Sequence, residues 1–75
     1  MGSTFERVKS LVVERLGVED WRVTPDARLW ADLEMDDLEL AGFRIALERE
    51  FAREIREEEF MCAQTLKDVT LLLER

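Results

Sequence analysis

Histidine and tyrosine are absent from this chain, and cysteine and proline each occur once. Without histidine, the chain lacks the commonest general base and the imidazole of Ser-His-Asp triads and of zinc sites. The lone thiol, Cys62, excludes an internal disulfide, and with no histidine to activate it we interpret it as a small buried hydrophobe. The three glycines are too far apart to form a phosphate-binding loop. We therefore predict no catalytic residues and no enzyme activity.

Basic residues are in deficit, with 11 Lys and Arg against 18 Asp and Glu and a net charge of -7. Because Lys and Arg supply most contacts to phosphates, we expect neither nucleic acid nor an anionic membrane surface as a partner. The apolar runs are far shorter than the roughly 20 residues that span a membrane, and no secretory leader is visible. We predict a cytoplasmic monomer, one domain over residues 1–75, whose protein partner has a basic docking patch.

Apolar residues at spacings of three and four predict three helices, over residues 4–16, 36–52 and 66–74. A one-turn helix is predicted over residues 57–61. Residues 18–35 form a long connection without a regular period, and Pro25 interrupts any element there. We expect the apolar residues of this loop to pack against the helices. Trp21 and Trp30 are predicted to pack beneath the loop, or alternatively to anchor a partner.

The strongest predicted helix covers residues 36–52. Asp36 is its predicted N-cap, and Glu39 three residues later completes a capping box. Its apolar face is broad, as in a central helix that is contacted from several sides, and comprises Leu38, Leu40, Ala41, Phe43, Ile45, Ala46, Leu47 and Phe51. Gly42 costs this helix about 1 kcal/mol relative to alanine. It is either simply tolerated or required by the close approach of another backbone or a ligand.

Four carboxylates lie around the start of this helix, at Asp32, Glu34, Asp36 and Asp37. A calcium-binding loop that begins at Asp32 requires glycine at its sixth position and glutamate at its twelfth. The chain has Asp37 and Phe43 there, so the pattern fails. We predict no metal site, with loose binding of a hard cation to these acids as the alternative.

Several segments, taken in order, have the pattern of one known family: Leu16-Gly17-Val18, Val23-Thr24-Pro25, Ala46-Leu47-Glu48-Arg49-Glu50-Phe51 and Glu54-Ile55. With these segments the chain resembles the acyl carrier proteins, small domains that carry acyl or peptidyl groups on phosphopantetheine. The resemblance extends over about residues 5–74. It implies an all-α, four-helix bundle with a long first loop, a short third helix, and the second helix as the docking face.

The attachment motif of the family differs in this chain. The family has Asp-Ser-Leu, usually preceded by a glycine two residues before the aspartate, whereas this chain has Asp36-Asp37-Leu38 and Glu34. Attachment requires a hydroxyl oxygen that attacks the pyrophosphate of coenzyme A, and no serine or threonine lies between Asp26 and Arg56. A carboxylate is a poor nucleophile whose product would be a labile anhydride. We therefore predict that 4'-phosphopantetheine is absent and that the chain has no cofactor.

Asp37 has two interpretations. It is an ordinary acid in a first helical turn, favoured by about 0.3–1 kcal/mol, or its charge partly mimics the phosphate of a loaded carrier. In the family, acids along the second helix meet basic patches on partner enzymes. The resemblance therefore implies a partner-binding set of Asp36, Asp37, Leu38, Glu39, Gly42, Phe43, Arg44 and Glu48. Gly42, Arg44 and Arg49 dilute the acidic character of this face, which indicates either an altered set of partners or neutral drift on a solvated face.

The predicted function is that of a non-catalytic protein-interaction module, an accessory or regulatory partner of a biosynthetic enzyme. The alternative is a genuine carrier of fatty-acid, polyketide or non-ribosomal peptide synthesis whose attachment serine is replaced by Asp37. Glu34 and Gly42 depart from the family pattern independently of Asp37, which favours the first hypothesis over a single replacement.

Overall fold

The computed structural model describes residues 3–75, which form four α-helices. The helices are α1 (Thr4–Leu16), α2 (Asp37–Phe51), α3 (Glu57–Met61) and α4 (Leu66–Leu73), with a 3-10 turn at Asp20–Arg22. Residues 3–75 contain no β-strand, only a single antiparallel bridge between Arg28 and Thr65. The predicted all-α architecture, with its long first loop and short third helix, is confirmed, and the predicted helix ends are correct to within one residue.

Local hydrogen bonds explain why the helix ends follow from sequence. The predicted capping box at α2 is present: Asp36 Oδ1 accepts from Glu39 N at 2.8 Å, and Glu39 Oε1 accepts from Asp36 N at 3.2 Å. Thr65 and Asp68 form the same reciprocal pair at α4. Gly17 ends α1 with a left-handed φ of 68°, which glycine adopts without a steric penalty. Each of these signals depends only on neighbouring residues.

The core lies between α1, α2, α4 and the first loop. Its buried side chains from the helices are Val8, Val12, Phe43, Leu47, Phe60, Leu66, Val69 and Leu73. The first loop adds Val23, Ala27, Leu29, Leu33 and Met35. The loop is therefore part of the core, which confirms that its apolar residues pack against the helices.

Backbone hydrogen bonds join the first loop to the connection between α3 and α4. Leu29 N donates to Gln64 O at 2.9 Å, and Leu66 N donates to Ala27 O at 3.1 Å. Because these bonds pair two segments about 35 residues apart in sequence, they place the residues before α2 directly beside α3.

Two carboxylates, Asp32 and Asp68, accept backbone hydrogen bonds in the first loop and at the start of α4. The pKa of Asp32 is lowered by the backbone N–H of Arg28, which donates to Oδ2 at 2.8 Å, and then by the Arg28 guanidinium. The pKa of Asp68 is lowered by the backbone N–H groups of Gln64 and Thr65. Hydrogen bonds to a charged carboxylate favour that charged form. Asp32 therefore closes a turn of the first loop.

Three expectations about the surface are wrong. Trp21 and Trp30 do not pack beneath the first loop, since 71% and 62% of their surfaces are exposed. The side chains that the loop does bury include the smaller Val23 and Leu33. Cys62 is also exposed rather than buried, because it lies just after the last residue of the short helix α3.

Glu34 has a left-handed backbone, with φ of 55°. The resemblance to acyl carrier proteins places a glycine at this position, and the chain here combines a glycine-type conformation with a glutamate side chain. A residue with a Cβ pays about 1–2 kcal/mol for this conformation. The backbone is therefore locally strained at Glu34, two residues before the N-cap of α2.

We expect Glu34→Gly to raise the free energy of unfolding by about 0.5–1 kcal/mol. The substitution removes the left-handed penalty, and part of this gain is offset by the larger backbone entropy of glycine in the unfolded chain. Urea denaturation followed by far-UV circular dichroism measures the change. Glu34→Ala is the matched control, because it removes the same charge but keeps the Cβ, and it should change stability by less than about 0.5 kcal/mol. Equal stabilisation by both variants would assign the effect to charge.

Candidate functional site

The first turn of α2 displays four residues of the predicted site on the surface. Asp36, Asp37, Leu38 and Glu39 are all exposed, and the capping box holds their backbone in place. Leu38 is 81% exposed, the largest value among the exposed large hydrophobic residues. Within residues 3–75, the Asp37 carboxylate has no ion pair. The turn therefore presents one apolar side chain among three carboxylates.

An apolar stripe continues from this turn along α2. Leu38, Ala41 and Ile45 follow one another at spacings of three and four, and all are exposed, Ile45 to 43%. Leu47 is buried, and so is Phe43, although Phe43 was predicted to contact a partner. Almost every side of α2 is apolar in sequence, so periodicity could not show which side remains open. Helix α1 covers one side of α2 and α3 covers another, and the stripe lies on what remains.

Phe43, which was predicted to belong to the partner-binding set, is buried in the core. Its side chain is 1% exposed, and its ring meets the ring of Phe60 edge-on, with 6.0 Å between the centroids. A partner cannot contact this ring unless the core opens. The signal for burial was present in the sequence, because Phe43 is one turn before Leu47 on one face of the helix.

Arg44 and Glu48 of the predicted site hold the connection between α2 and α3. Arg44 Nη1 donates to Ile55 O at 3.0 Å, and Ile55 N donates to Glu48 Oε2 at 2.8 Å. The two side chains also pair with each other at 3.5 Å, and each is only about a quarter exposed (23% and 25%). This set, which we call the Ile55 clamp, has an intramolecular function that spacing alone could not show, because Ile55 comes from another segment.

Gly42 faces α1 and accommodates an arginine. A Cβ built on Gly42 would lie 2.6 Å from Arg15 Nη2, closer than real side chains approach. The glycine therefore allows the Arg15 guanidinium to lie against the backbone of α2. Close approach explains this glycine, and the neighbouring group is a side chain of the same chain.

A groove of about 320 Å³ opens between the first loop, α2 and α3. Its wall is mainly apolar and includes Leu29, Leu40 and Phe60. Trp30 and the 76% exposed Met61 also line it. Leu40 lies one helical turn after the exposed acids of α2, so the groove is beside the first turn.

These features define a class of protein. Among residues 3–75, no group of three or more His, Cys, Asp or Glu side chains is arranged to hold a metal ion. None of the helices in that range is long and apolar enough to cross a membrane. The exposed features are an apolar stripe and an acidic turn at the start of a capped helix. The protein is a small helical domain whose surface has an exposed apolar stripe beside an acidic turn.

Residues 6–73 match the protein-family model described as "Phosphopantetheine attachment site". The chain is 42% identical over 71 residues to an acyl carrier protein of Helicobacter hepaticus, covering 95% of this chain and 93% of that protein. It is 37% identical over 73 residues to an acyl carrier protein of Solidesulfovibrio magneticus, covering 97% and 94%. The chain belongs to the phosphopantetheine-attachment family, and the resemblance to acyl carrier proteins is confirmed. Such carriers are not catalysts, so this protein is not an enzyme.

The prediction that 4'-phosphopantetheine is absent is contradicted by the family match. The matching model describes the attachment site of this group, and the acyl carrier proteins of the family carry it. The residue that the resemblance places at the attachment position is Asp37, whose exposed side chain is a carboxylate, and the flanking hydroxyl residues along the chain are Thr24 and Thr65. This side chain does not fit the usual phosphodiester linkage through serine. The function proposed below therefore contains no step through the group.

Proposed function

We propose that this carrier-family domain docks, through the first half of α2, onto an enzyme of acyl- or peptidyl-chain biosynthesis as its accessory or regulatory partner. The observation that supports this proposal is Leu38, 81% exposed between the carboxylates of Asp37 and Glu39. Burial of a leucine side chain in an interface contributes about 1.5–3 kcal/mol. The adjacent acids attract a basic patch and orient the partner.

The docking surface of the proposal consists of two parts. The acidic turn (Asp36, Asp37, Glu39) supplies charge, and the apolar stripe (Leu38, Ala41, Ile45) supplies area to bury. Gly42 lets the Arg15 guanidinium lie against α2, whereas Phe43, Arg44 and Glu48 support the docking surface from within. With a net charge of -7, the chain is attracted to a basic enzyme over several ångströms. We place the protein in the cytoplasm, since its single cysteine suits a reducing compartment. We also propose that it is a monomer.

A second candidate function is that of a true acyl or peptidyl carrier. The family match over residues 6–73 favours it. Both candidates use the same docking surface, and they differ in what happens at position 37. Modification of that position therefore separates them.

Asp37→Ser restores a hydroxyl at the attachment position. We expect a phosphopantetheinyl transferase with coenzyme A to modify this variant, because the capping box and Leu38 that present the residue are unchanged. Mass spectrometry of the intact protein detects the added group. Asp37→Ala, with neither hydroxyl nor carboxylate, is the matched control and should remain unmodified. Wild-type protein is measured beside them, and its modification would favour the true carrier.

The same assay tests the docking surface. Adding Leu38→Ala to Asp37→Ser should slow modification about tenfold, which corresponds to about 1.4 kcal/mol of lost binding. Adding Leu71→Ala, a second exposed leucine on α4, should have little effect. A folded Asp37→Ser variant that is never modified would rule out a carrier-type docking surface on α2. Equal modification of the Leu38→Ala and Leu71→Ala variants would exclude Leu38 as its anchor.

A further inference from the structure

Two arginines without acidic partners lie beside the apolar stripe. Arg15 on α1 and Arg49 on α2 are exposed, and neither forms an ion pair or a side-chain hydrogen bond within the described residues 3–75. Both line a groove of about 430 Å³ between α1 and α2, together with Ile45 of the stripe. We call these two residues the basic pair.

The acids near the basic pair do not neutralise it. Glu50 lines the same groove, but its carboxylate pairs with Arg7 at 3.2 Å. Glu14 is the other carboxylate of the groove and forms no ion pair within residues 3–75. Glu39 borders a narrow cleft with Arg15, and its carboxylate accepts the cap hydrogen bond from Asp36 N. Two positive groups thus face one unpaired negative group in the groove.

Gly42 sets the position of the first arginine. Because Arg15 Nη2 lies 2.6 Å from where a Cβ would be, the guanidinium rests against the middle of α2. Gly42 is five residues after Asp37, or about 7.5 Å along the helix, and Arg49 is twelve residues after it, or about 18 Å. These separations approach or exceed the Debye length of about 8 Å in physiological salt. A partner on this face therefore meets two distinct charged regions.

The docking face of α2 is consequently bipolar. The acidic turn lies at its N-terminal end, the basic pair lies beside its middle and C-terminal half, and the exposed apolar stripe runs between them. A uniformly basic partner surface long enough to cover the stripe would bring like charges against Arg15 and Arg49. Like charges that face each other across an interface reduce affinity and select against such partners.

We propose that the enzyme partner has a matching bipolar surface, with basic residues opposite the acidic turn and at least one carboxylate opposite the basic pair. Apolar side chains of the partner cover the stripe between these two regions. This inference rests on the proposed docking function and specifies the chemistry of the partner. It separates this chain from a carrier whose docking helix meets basic residues along its whole length.

Two synthetic helical peptides of about 18 residues, about 27 Å long, are suitable probes. Both have the same apolar face; one has lysines in one half and glutamates in the other, and the second has lysines throughout. Fluorescence anisotropy of labelled peptide at about 0.15 M salt measures binding, with long-range attraction screened. We expect Arg49→Glu and Arg15→Glu each to weaken binding of the bipolar peptide about threefold to tenfold and to strengthen binding of the all-lysine peptide.

Lys67→Glu is the matched control. It makes the same change in net charge on α4, and Lys67 forms no ion pair within residues 3–75. This variant should bind the bipolar peptide within twofold of wild type, because that peptide has no net charge. Circular dichroism confirms that each variant is folded before binding is measured.

Unchanged binding of the bipolar peptide by both arginine variants would overturn the proposal, and so would failure of wild type to bind the bipolar peptide. Sedimentation that shows self-association of the chain alone, abolished by Arg49→Glu, would assign the face to a second copy and would also overturn it. Failure of the proposed docking function would show differently, as a folded Asp37→Ser variant that the transferase does not modify. That assay does not depend on Arg15 or Arg49 being opposite a carboxylate.

Discussion

Phe43→Ala is expected to lower the free energy of unfolding by about 3–5 kcal/mol. The ring of Phe43 is 1% exposed, and its removal leaves a cavity at the centre of the core and removes an edge-to-face contact with Phe60 worth about 0.5–1.5 kcal/mol. A core in a chain of this length supplies about 3–5 kcal/mol of stability in total. The variant should therefore be largely unfolded at room temperature, with no cooperative transition in urea.

Far-UV circular dichroism is the appropriate measurement for this variant. Trp21 and Trp30 are already exposed in the folded protein, so their fluorescence should change little on unfolding. Leu38→Ala is the matched control, because it truncates an apolar residue of the same helix that is 81% exposed, and it should change stability by no more than about 0.5 kcal/mol. A Phe43→Ala variant as stable as Leu38→Ala would contradict the placement of Phe43 in the core and return it to the docking surface.

Glu48→Ala is expected to lower the free energy of unfolding by about 1–3 kcal/mol, because the partly buried Ile55 N–H loses its acceptor. Arg44 at the same time loses its carboxylate partner at 3.5 Å, while its bond to Ile55 O remains. Urea denaturation measures the stability, and hydrogen exchange measures protection of the Ile55 amide. Exchange at this amide should become faster in Glu48→Ala.

Glu48→Gln is the control that separates hydrogen bonding from charge. The glutamine side chain keeps a carbonyl oxygen as acceptor for Ile55 N–H, so most of the amide protection should persist although the charge is lost. Loss of protection in Glu48→Gln equal to that in Glu48→Ala would show that the ion pair with Arg44 dominates. Unchanged stability and exchange in both variants would mean that the Ile55 clamp is not formed in solution, and Glu48 would again belong to the partner surface.

The results for Phe43→Ala and Glu48→Ala would show which residues of α2 stabilise the fold and which are free to bind a partner. Residues that point to α1, α3 and the α2–α3 connection hold the bundle together, as Phe43 and the Ile55 clamp do. Residues on the remaining side are free to contact a partner, as Leu38 and Ile45 are. A substitution on the docking side should therefore change binding with little effect on stability, whereas one on the inner side should do the reverse.

The family assignment also changes the interpretation of position 37. The missing hydroxyl at Asp37 predicts that the cofactor is absent, and the family match contradicts that prediction. Asp37 is an exposed carboxylate at the start of a capped helix. Asp37→Ser and its controls address this position directly, without assuming either candidate function.

The amino-acid sequence alone determined the helices, their caps and the family pattern. Capping boxes such as Asp36 with Glu39, the glycine stop at Gly17 and spacings of three and four act between residues that are neighbours in the chain. The acidic balance and the position of Asp37 in the attachment motif were also visible there. These features require no knowledge of what packs against what.

Only the tertiary structure decided which side of α2 is open. A helical period relates side chains to one another but does not say which side another element will cover, and α2 is apolar on nearly every side. Contacts with residues distant in sequence decided this: Phe60 buries Phe43, Ile55 holds Arg44 and Glu48, and Arg15 lies over Gly42. They leave Leu38, Ala41 and Ile45 exposed as the stripe on which the proposed docking depends.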